Sequence, residues 1–357
     1  MKVLMLSRDK KIFEEGSAVR ARMIEYGKLF DHLYIHVLSN GKYNKEKISE
    51  NVTVSHVGIS GLVLVIHRIL KNIPKDIDLV TTQDPFETGY IAYRIAKKLH
   101  IPLQLQVHTD FLSSHFRKES IKNFIRYIVS KITIPKAACI RVVSKRIEDS
   151  LAELGIKSHE SRTTILPIFV DAQKIKDAQP ALLSKQYDFT ILWVGRFEKE
   201  KNCSLAIKAF SEFAKKYPNA GLVIMGDGSE RKKLELQAKN YKLQANVMFL
   251  GWKNDIAGYY ESADVLLVTS WYEGYGMNMV EARIADIPVV APDVGVAEEV
   301  GAYITDHTSQ GIAHVLMQLH ERRLPMRDKY QYPYENKEQY LQLCKQSFER
   351  CLRNLKK

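Results

Sequence analysis

Three segments carry residue types whose spacing could do chemistry. The apolar run Phe189–Val194 ends in Gly195-Arg196-Phe197, and Lys201 follows Arg196 by five residues at the start of a helical pattern. Gly195 permits a tight exit from a strand. Arg196 and Lys201 would then converge on a helix N-terminus, where backbone N–H groups and the dipole already favour an anion. Two cations and a dipole suit a diphosphate; the competing reading is plain surface charge, because Glu198, Lys199 and Glu200 lie alongside. The run Leu222–Met225 leads into Gly226-Asp227-Gly228, a second glycine-rich exit. Arg231 stands where a dinucleotide fingerprint needs its third glycine, so that motif is not supported. The third segment is Trp271–Glu281. Glu273 precedes a Gly274-Tyr275-Gly276 turn, and Glu281 follows eight residues later on the helix that the turn opens. Gly274 and Gly276 let the backbone approach a ligand closely, with free N–H donors at the helix start. A carboxylate accepts two hydrogen bonds at once and so suits the paired hydroxyls of a ribose or hexose. Set among Met277, Met279, Val280 and Ala282, Glu281 reads as more enclosed than a solvated helix residue.

These segments need a scaffold that delivers strand ends to one place. Short β-rich runs recur at Lys2–Leu6, Leu33–Leu38, Thr53–Val57, Leu79–Thr82, Leu103–Val107 and Cys139–Val143. They recur again at Phe189–Val194, Leu222–Met225, Val247–Leu250, Val265–Val268 and Pro288–Ala291. Amphipathic stretches separate them, such as Ser204–Tyr217, where Leu205, Ala206, Ala209, Phe210 and Phe213 keep a helix period. Strand–helix alternation favours parallel sheets covered by helices on both faces. Twice over, it predicts an α/β protein of two Rossmann-like, doubly wound domains whose strand ends face a central cleft. A chain of 357 residues suits two such domains. The join is expected in 171–185, where apolar periodicity fades. The predicted domains are 1–170 plus a returning C-terminal helix (335–357), and 171–334. That last helix is expected over Glu335–Leu355, with Cys344 and Cys351 as core packing.

Ordinary composition, 45% hydrophobic and 26% charged, excludes disorder and fibres. No apolar run approaches the roughly 18 residues of a spanning helix. Val3–Leu6 before Arg8 is too short for a signal peptide. The four cysteines show no zinc or CxxC spacing, so a reduced, cytoplasmic interior is expected and the sequons at Asn51 and Asn202 are read as chance matches. Net charge is +12 and uneven. Residues 1–170 carry 27 Lys and Arg against 17 Asp and Glu, whereas 171–357 carry 26 against 24. An anionic partner of the first half follows: nucleic acid, a membrane surface or a phosphorylated substrate. The basic residues lack aromatic interleaving or a recognised module, which argues against nucleic acid.

Taken together, Gly195-Arg196…Lys201, Gly226-Asp227-Gly228, Phe249-Leu250-Gly251 and the Glu-x₇-Glu of Glu273 and Glu281 resemble, in order and spacing, the family-4 retaining glycosyltransferases of the GT-B fold. The resemblance covers nearly the whole chain. It implies a nucleotide-sugar donor, UDP- or GDP-linked, held by the C-terminal domain, and an acceptor hydroxyl held by the N-terminal one. By position, Arg196 and Lys201 would hold the diphosphate and Glu281 the ribose. Glu273 and the N–H groups around Gly276 and Met277 would face the sugar, with Gly274 and Tyr275 in the same turn. Trp252 and Lys253, after Gly251, would lie near the base. In the first half, Glu15-Gly16-Ser17 takes the place of a Gly-rich turn near the diphosphate, with the single Gly16 remaining. His108 matches the family's active-site histidine; at the carboxyl end of Leu103–Val107 it also reads independently as a site residue. Leu166–Asp171 departs from the usual Pro-Asn-Gly-Val-Asp, with Ile168 and Phe169 in place of Asn and Gly.

The implied reaction retains anomeric configuration and needs no metal or other cofactor. Asp76-Ile77-Asp78 spells a DxD but precedes its strand, at the end opposite the expected cleft, and reads as a solvated lead-in. A GT-B phosphorylase or epimerase, or a non-catalytic nucleotide-sugar-binding subunit, remain the alternatives. The acceptor is expected to be a glycan, lipid-linked or phosphorylated.

Helical periodicity is strong from His115 to Ile132. Ile121, Phe124, Ile125, Ile128, Val129 and Ile132 make one apolar face, beside Lys118, Lys122 and Arg126 at i, i+4, i+8. The apolar face is expected to pack on the domain's own sheet. The basic rim is kept as an electrostatic contact with an acceptor or an anionic membrane surface, peripheral at its inner face. Leu62–Leu70 is a weaker candidate for the same surface.

Overall fold

A computed structural model describes residues 1–41, 43–59, 61–155, 162–181, 187–325 and 327–353. Residues 182–185 of the expected join, and the end of the last helix beyond Arg353, lie outside the described residues. The chain divides into two compact units, Met1–Pro167 with Asn336–Lys357, and Ile168–Glu335.

The first unit holds strands β1 (Lys2–Ser7), β2 (His32–Ser39), β3 (Glu46–Ser49), β4 (Val52–Gly58), β5 (Leu79–Thr82), β6 (Leu103–Val107), β7 (Cys139–Val142) and β8 (Thr163–Ile165). They form one sheet in the order β3-β4-β2-β1-β5-β6-β7-β8. Every pairing is parallel except β3 with β4. Helices α1 (Ala18–Gly27), α2 (Leu62–Asn72), α3 (Glu87–Leu99), α4 (Ser114–Glu119), α5 (Ile121–Thr133) and α6 (Lys145–Ala152) connect the strands. Central strands buried along their length read as near-continuous apolar runs, as β1 does over Val3–Leu6, whereas β5 is equally buried but ends in Thr81 and Thr82. The edge pieces β3 and β8 are short and lack such a run, so periodicity did not reveal them.

The second unit begins with α7 (Ala172–Lys176) and holds β9 (Phe189–Val194), β10 (Ala220–Met225), β11 (Val247–Gly251), β12 (Val265–Leu267), β13 (Val289–Ala291) and β14 (Tyr303–Ile304). Their order is β11-β10-β9-β12-β13-β14, all parallel. Numbered within the unit, this is the 3-2-1-4-5-6 order of a doubly wound sheet, whose switch point lies between β9 and β12. Helices α8 (Cys203–Ala214), α9 (Arg231–Asn240), α10 (Ala257–Tyr260), α11 (Met277–Ile284) and α12 (Ser309–His320) complete it. The periodic face of α8 is core: Ala206, Ile207, Ala209, Phe210 and Phe213 pack with Ile191, Trp193, Leu222 and Ile224.

The last helix, α13 (Lys337–Arg353), belongs to the first unit. Phe348 meets Phe30 edge-on at 4.9 Å, Tyr340 shares a 2.8 Å hydroxyl contact with Tyr26, and Gln104 Nε2 donates to the Ser347 carbonyl at 3.3 Å. Here the cysteine expectation is corrected. Cys351 is disulfide-bonded to Cys139, the first residue of β7, across 212 residues, while Cys203 and Cys344 are free and buried. Local spacing carries no trace of a pairing made by two distant chain segments. Closing so long a loop should stabilise the fold by about 2–5 kcal/mol. Cys351→Ser is therefore expected to lower the urea midpoint of the oxidised protein to that of the wild type under dithiothreitol. A variant matching the oxidised wild type would refute a stabilising bridge.

Two further expectations are corrected around α5. The helix predicted from His115 to Ile132 is broken at Ser120, whose extended backbone lets its hydroxyl accept from Asn123 N at 3.1 Å and cap α5. The apolar stripe does not pack on the sheet either. Ile121, Phe124, Ile125, Ile128 and Ile132 are exposed, and the buried residues of α5 are Asn123, Ser130 and Thr133.

Candidate functional site

The switch point of the second unit gathers the strongest sequence signals, because ligands of doubly wound sheets bind beyond the strand ends there. The exits of β9, β10 and β11 are laced by backbone: Gly195 N donates to Met225 O at 3.0 Å, Phe197 N to Asp227 O at 2.9 Å and Gly226 N to Gly251 O at 3.0 Å. Gly226 has φ +142°, and a Cβ there would overlap the Gly195 carbonyl oxygen. Only glycine allows the two exits to lie this close.

The β12 exit folds onto the segment after β9. Thr269 Oγ1 accepts from Trp193 Nε1 at 3.0 Å and donates to the Lys201 and Asn202 carbonyls at 3.1 and 2.9 Å. Trp271 N donates to Glu200 O at 2.8 Å. These bonds bring Glu273 to Lys201, with Nζ and Oε1 at 2.5 Å, and Ser270 Oγ donates to the same oxygen at 2.8 Å. Glu273 is buried. Arg196 instead pairs with Glu200 at 2.7 Å on an open face, its side chain 63% exposed. Each expected diphosphate cation thus holds its own carboxylate. Directly after Lys201, Asn202 is left-handed (φ +50°) and gives α8 no side-chain cap.

Gly276 caps α11 at φ +93°, where a Cβ would overlap the Met279 side chain. Asn278 Nδ2 ties the start of α11 to β9 through Val194 O at 3.0 Å. One turn on, Glu281 Oε2 accepts from the fully buried Tyr260 hydroxyl at 2.7 Å. Burial pushes the Glu281 pKa up, and the Tyr260 bond opposes that shift. Tyr275 is buried, and Met277 is exposed at the mouth of the helix. Trp252, 64% exposed, and Lys253 follow Gly251 on the surface beyond β11. Gly274 is half-buried in the same turn as Glu273.

Sequence reading missed Glu200, Ser270, Tyr260 and Asn278, which hold these residues in place. In sequence, Glu200 is one of three charged neighbours that support the surface-charge reading of Arg196 and Lys201. Tyr260 and Asn278 are single polar residues whose partners lie 21 and 84 residues away, and Ser270 is a lone serine three residues before Glu273.

In the first unit, His108 leaves β6 half-buried, with Nε2 3.4 Å from Gln106 Oε1. Gln106 also accepts from the buried Arg141 guanidinium, which contacts Cys344 Sγ at 3.0 Å. Burial, then the Arg141 and Arg22 charges, push the His108 pKa down to about 3. The imidazole is neutral at physiological pH. An unfolded histidine titrates near 6.5, so between pH 6.5 and about 3 the unfolded chain binds more protons. Stability contributed by the neutral ring is therefore lost as pH falls through that window. His108→Gln is expected to flatten the fall of the urea midpoint between about pH 7 and 5. An unchanged slope would contradict the shift. Part of the slope should survive in any case, because burial also pushes His36 down, to about 4.

Gly16 sits beyond β1 at φ +75°, next to Ser17, which caps α1 by accepting from Arg20 N. Asp76 and Asp78 lie at the amino ends of β1 and β5. Lys2 Nζ bonds Asp76, and Lys2 N donates to Asp78 Oδ2 at 2.6 Å. Lys118 and Lys122 are exposed, whereas Arg126 turns onto Glu87 at 3.2 Å and is no free rim charge.

The family model for Glycosyl transferases group 1 matches residues 174–329, and that for Glycosyltransferase Family 4 matches residues 52–174. An alpha-monoglucosyldiacylglycerol synthase of Acholeplasma laidlawii is 28% identical over 64% of this chain. The alignment spans 62% of that relative's own length. An uncharacterized glycosyltransferase of Methanocaldococcus jannaschii is 26% identical over 75% of the chain and 70% of its own. Among solved structures, the UDP complex of Anabaena HepE superimposes with a TM-score of 0.70 at 18% identity, covering 91% of this chain and 92% of that one. Sucrose-phosphate synthase from Thermosynechococcus elongatus gives 0.71 at 15% identity, over 100% and 94%. With two parallel-sheet α/β units and both family models matched in sequence order, the chain belongs to the family-4, group 1 glycosyltransferases of the GT-B fold.

Proposed function

We propose that this chain moves a hexose from a nucleotide-sugar to an acceptor hydroxyl with retention of configuration and without a metal. The observation that carries this reading is the Lys201–Glu273 pair beside an uncapped α8 at the β9/β12 switch point. Breaking the sugar–diphosphate bond builds charge on the leaving phosphate oxygen. Fixed cations and backbone N–H donors stabilise that charge without reorganising. Lys201 has three donors, of which Glu273 takes one. Arg196, itself exposed, is held by a surface ion pair worth about 0.2–1 kcal/mol, so it can turn to a diphosphate at little cost.

Glu281 uses one oxygen for Tyr260 and keeps the other for a ribose hydroxyl. Glu273 and the Gly274–Met277 turn would meet the sugar, and Gly251, Trp252 and Lys253 the base. The acceptor would be held by the first unit, with neutral His108 and Gly16 at its strand exits. Retention places the acceptor hydroxyl on the face that the diphosphate leaves.

A uridine donor is supported by the HepE complexes with UDP and UDP-glucose. A lipid-linked or phosphorylated acceptor is supported by the name of the Acholeplasma relative and by the basic excess of residues 1–170. Thermal shift against UDP-, GDP- and ADP-sugars tests the donor, because a ligand of the native state raises its stability. One of them should raise the midpoint, and turnover with it should survive excess EDTA. No shift with any donor, or activity abolished by EDTA and restored by Mg²⁺, would overturn the assignment.

A further inference from the structure

Helix α5 is packed inside out. Its polar side chains face the first unit: Asn123 donates to Glu119 at 2.7 Å, Arg126 reaches Glu87 and lies 5.5 Å over the Phe86 ring, and Thr133 donates to the Pro85 carbonyl. With buried Ser130, these positions recur at three- and four-residue spacing, which is one face of a helix. The opposite face is the apolar one. Ile121 is 82% exposed, and Phe124, Ile125, Ile128 and Ile132 are 43–56% exposed. A domain helix ordinarily turns such a stripe inward.

The feature extends beyond one helix. α3 packs against both α5 and α2, and α2 leaves Leu62, Val63 and Leu64 exposed while burying Val65 and Ile69. Scattered apolar residues on a surface need no explanation, but two amphipathic helices on one neighbour with bare apolar stripes do.

Charge selects the occupant. From His115 to Lys136 there are six Lys and Arg and one acid, Glu119, which is bonded to Asn123. Lys118 and Lys122 are exposed and make no ion pair among the described residues, and Lys131 lies over Tyr127 at 4.8 Å. An isologous contact with a second copy would set these lysines against themselves. An anionic bilayer satisfies both chemistries at once, taking the apolar stripe at the acyl boundary and the lysines at the headgroups. No described helix is long and apolar enough to cross a membrane, so the contact is one of lying on the surface.

We propose that the outward face of α5, with the start of α2, docks the protein on an anionic lipid bilayer. The proposal concerns the first unit alone and does not depend on the donor reading. It is tested by co-sedimenting the full chain with phosphatidylcholine vesicles with and without phosphatidylglycerol. The wild type should sediment with the anionic vesicles only, and less at high salt. Ile125→Glu with Ile128→Glu should weaken binding about tenfold or more, and Lys118→Gln with Lys122→Gln should weaken it and flatten the salt dependence. Both pairs are on exposed positions, so unchanged thermal midpoints would show that the fold is intact. Absence of sedimentation at low salt would overturn the proposal, as would undiminished binding by both variants. A lipid-free dimer dissolved by the isoleucine substitutions would also overturn it and assign the face to a second copy.

Discussion

Lys201→Ala is expected to lower sugar-transfer turnover about 10²–10³-fold, the effect of removing one preorganised donor from a developing oxyanion. The substitution also leaves Glu273 buried with the Ser270 hydroxyl but without its ammonium. Removing one partner of a buried ion pair should cost about 3–5 kcal/mol of stability, so the loss of activity needs separating from a loss of fold. Lys201→Met combined with Glu273→Gln achieves this. It removes both charges together, so it should recover most of the stability and none of the turnover. Arg196→Ala should act in the same direction on turnover with little change in stability, since its pair with Glu200 is exposed. Turnover from product release and urea midpoints decide the matter. A folded Lys201→Ala enzyme working near the wild-type rate would remove the lysine from the chemistry.

Gly226→Ala is expected to destabilise the second unit by about 3 kcal/mol or more. Two effects add: a backbone at φ +142° that side-chain-bearing residues avoid, and a Cβ overlapping the Gly195 carbonyl oxygen. The clash partner is backbone and has no rotamer by which to escape. Relief requires the β9 and β10 exits to separate, which would break the Gly195 N–Met225 O and Gly226 N–Gly251 O bonds and displace Arg196. Donor-induced thermal shift should therefore fall along with the urea midpoint. A variant with the wild-type midpoint would show that the exits have more room than this packing allows.

Much of the scaffold was legible because the buried parallel strands are short runs rich in apolar and β-branched residues, bounded by amphipathic helical stretches. Leu79–Thr82, Leu103–Val107 and Phe189–Val194 are strands over those very bounds. The edge strands β3, β8 and β14 lacked that signal. For the site, glycine-rich exits and the two glutamates stood out because few residue types can serve at a strand-to-helix turn. Which cation meets which carboxylate did not. Arg196 and Lys201 look equivalent in sequence, yet Lys201 is drawn to Glu273 by the Thr269 and Trp271 bonds, while Arg196 stays at the surface with Glu200. The pairing depends on where the β12 exit folds.

Sequence alone determined the alternation of strands and helices, the glycines at their exits and the two glutamates eight residues apart, because these rest on local periodicity and backbone freedom. Three things belonged to the tertiary structure: the Lys201–Glu273 pair, the Cys139–Cys351 bridge and the outward face of α5. Periodicity marks the apolar stripe of a helix but not the direction it faces. In α5, Glu87, Phe86 and the Pro85 carbonyl take up the polar stripe, so the isoleucines turn out. A side chain's partner is set by what the rest of the chain brings to it.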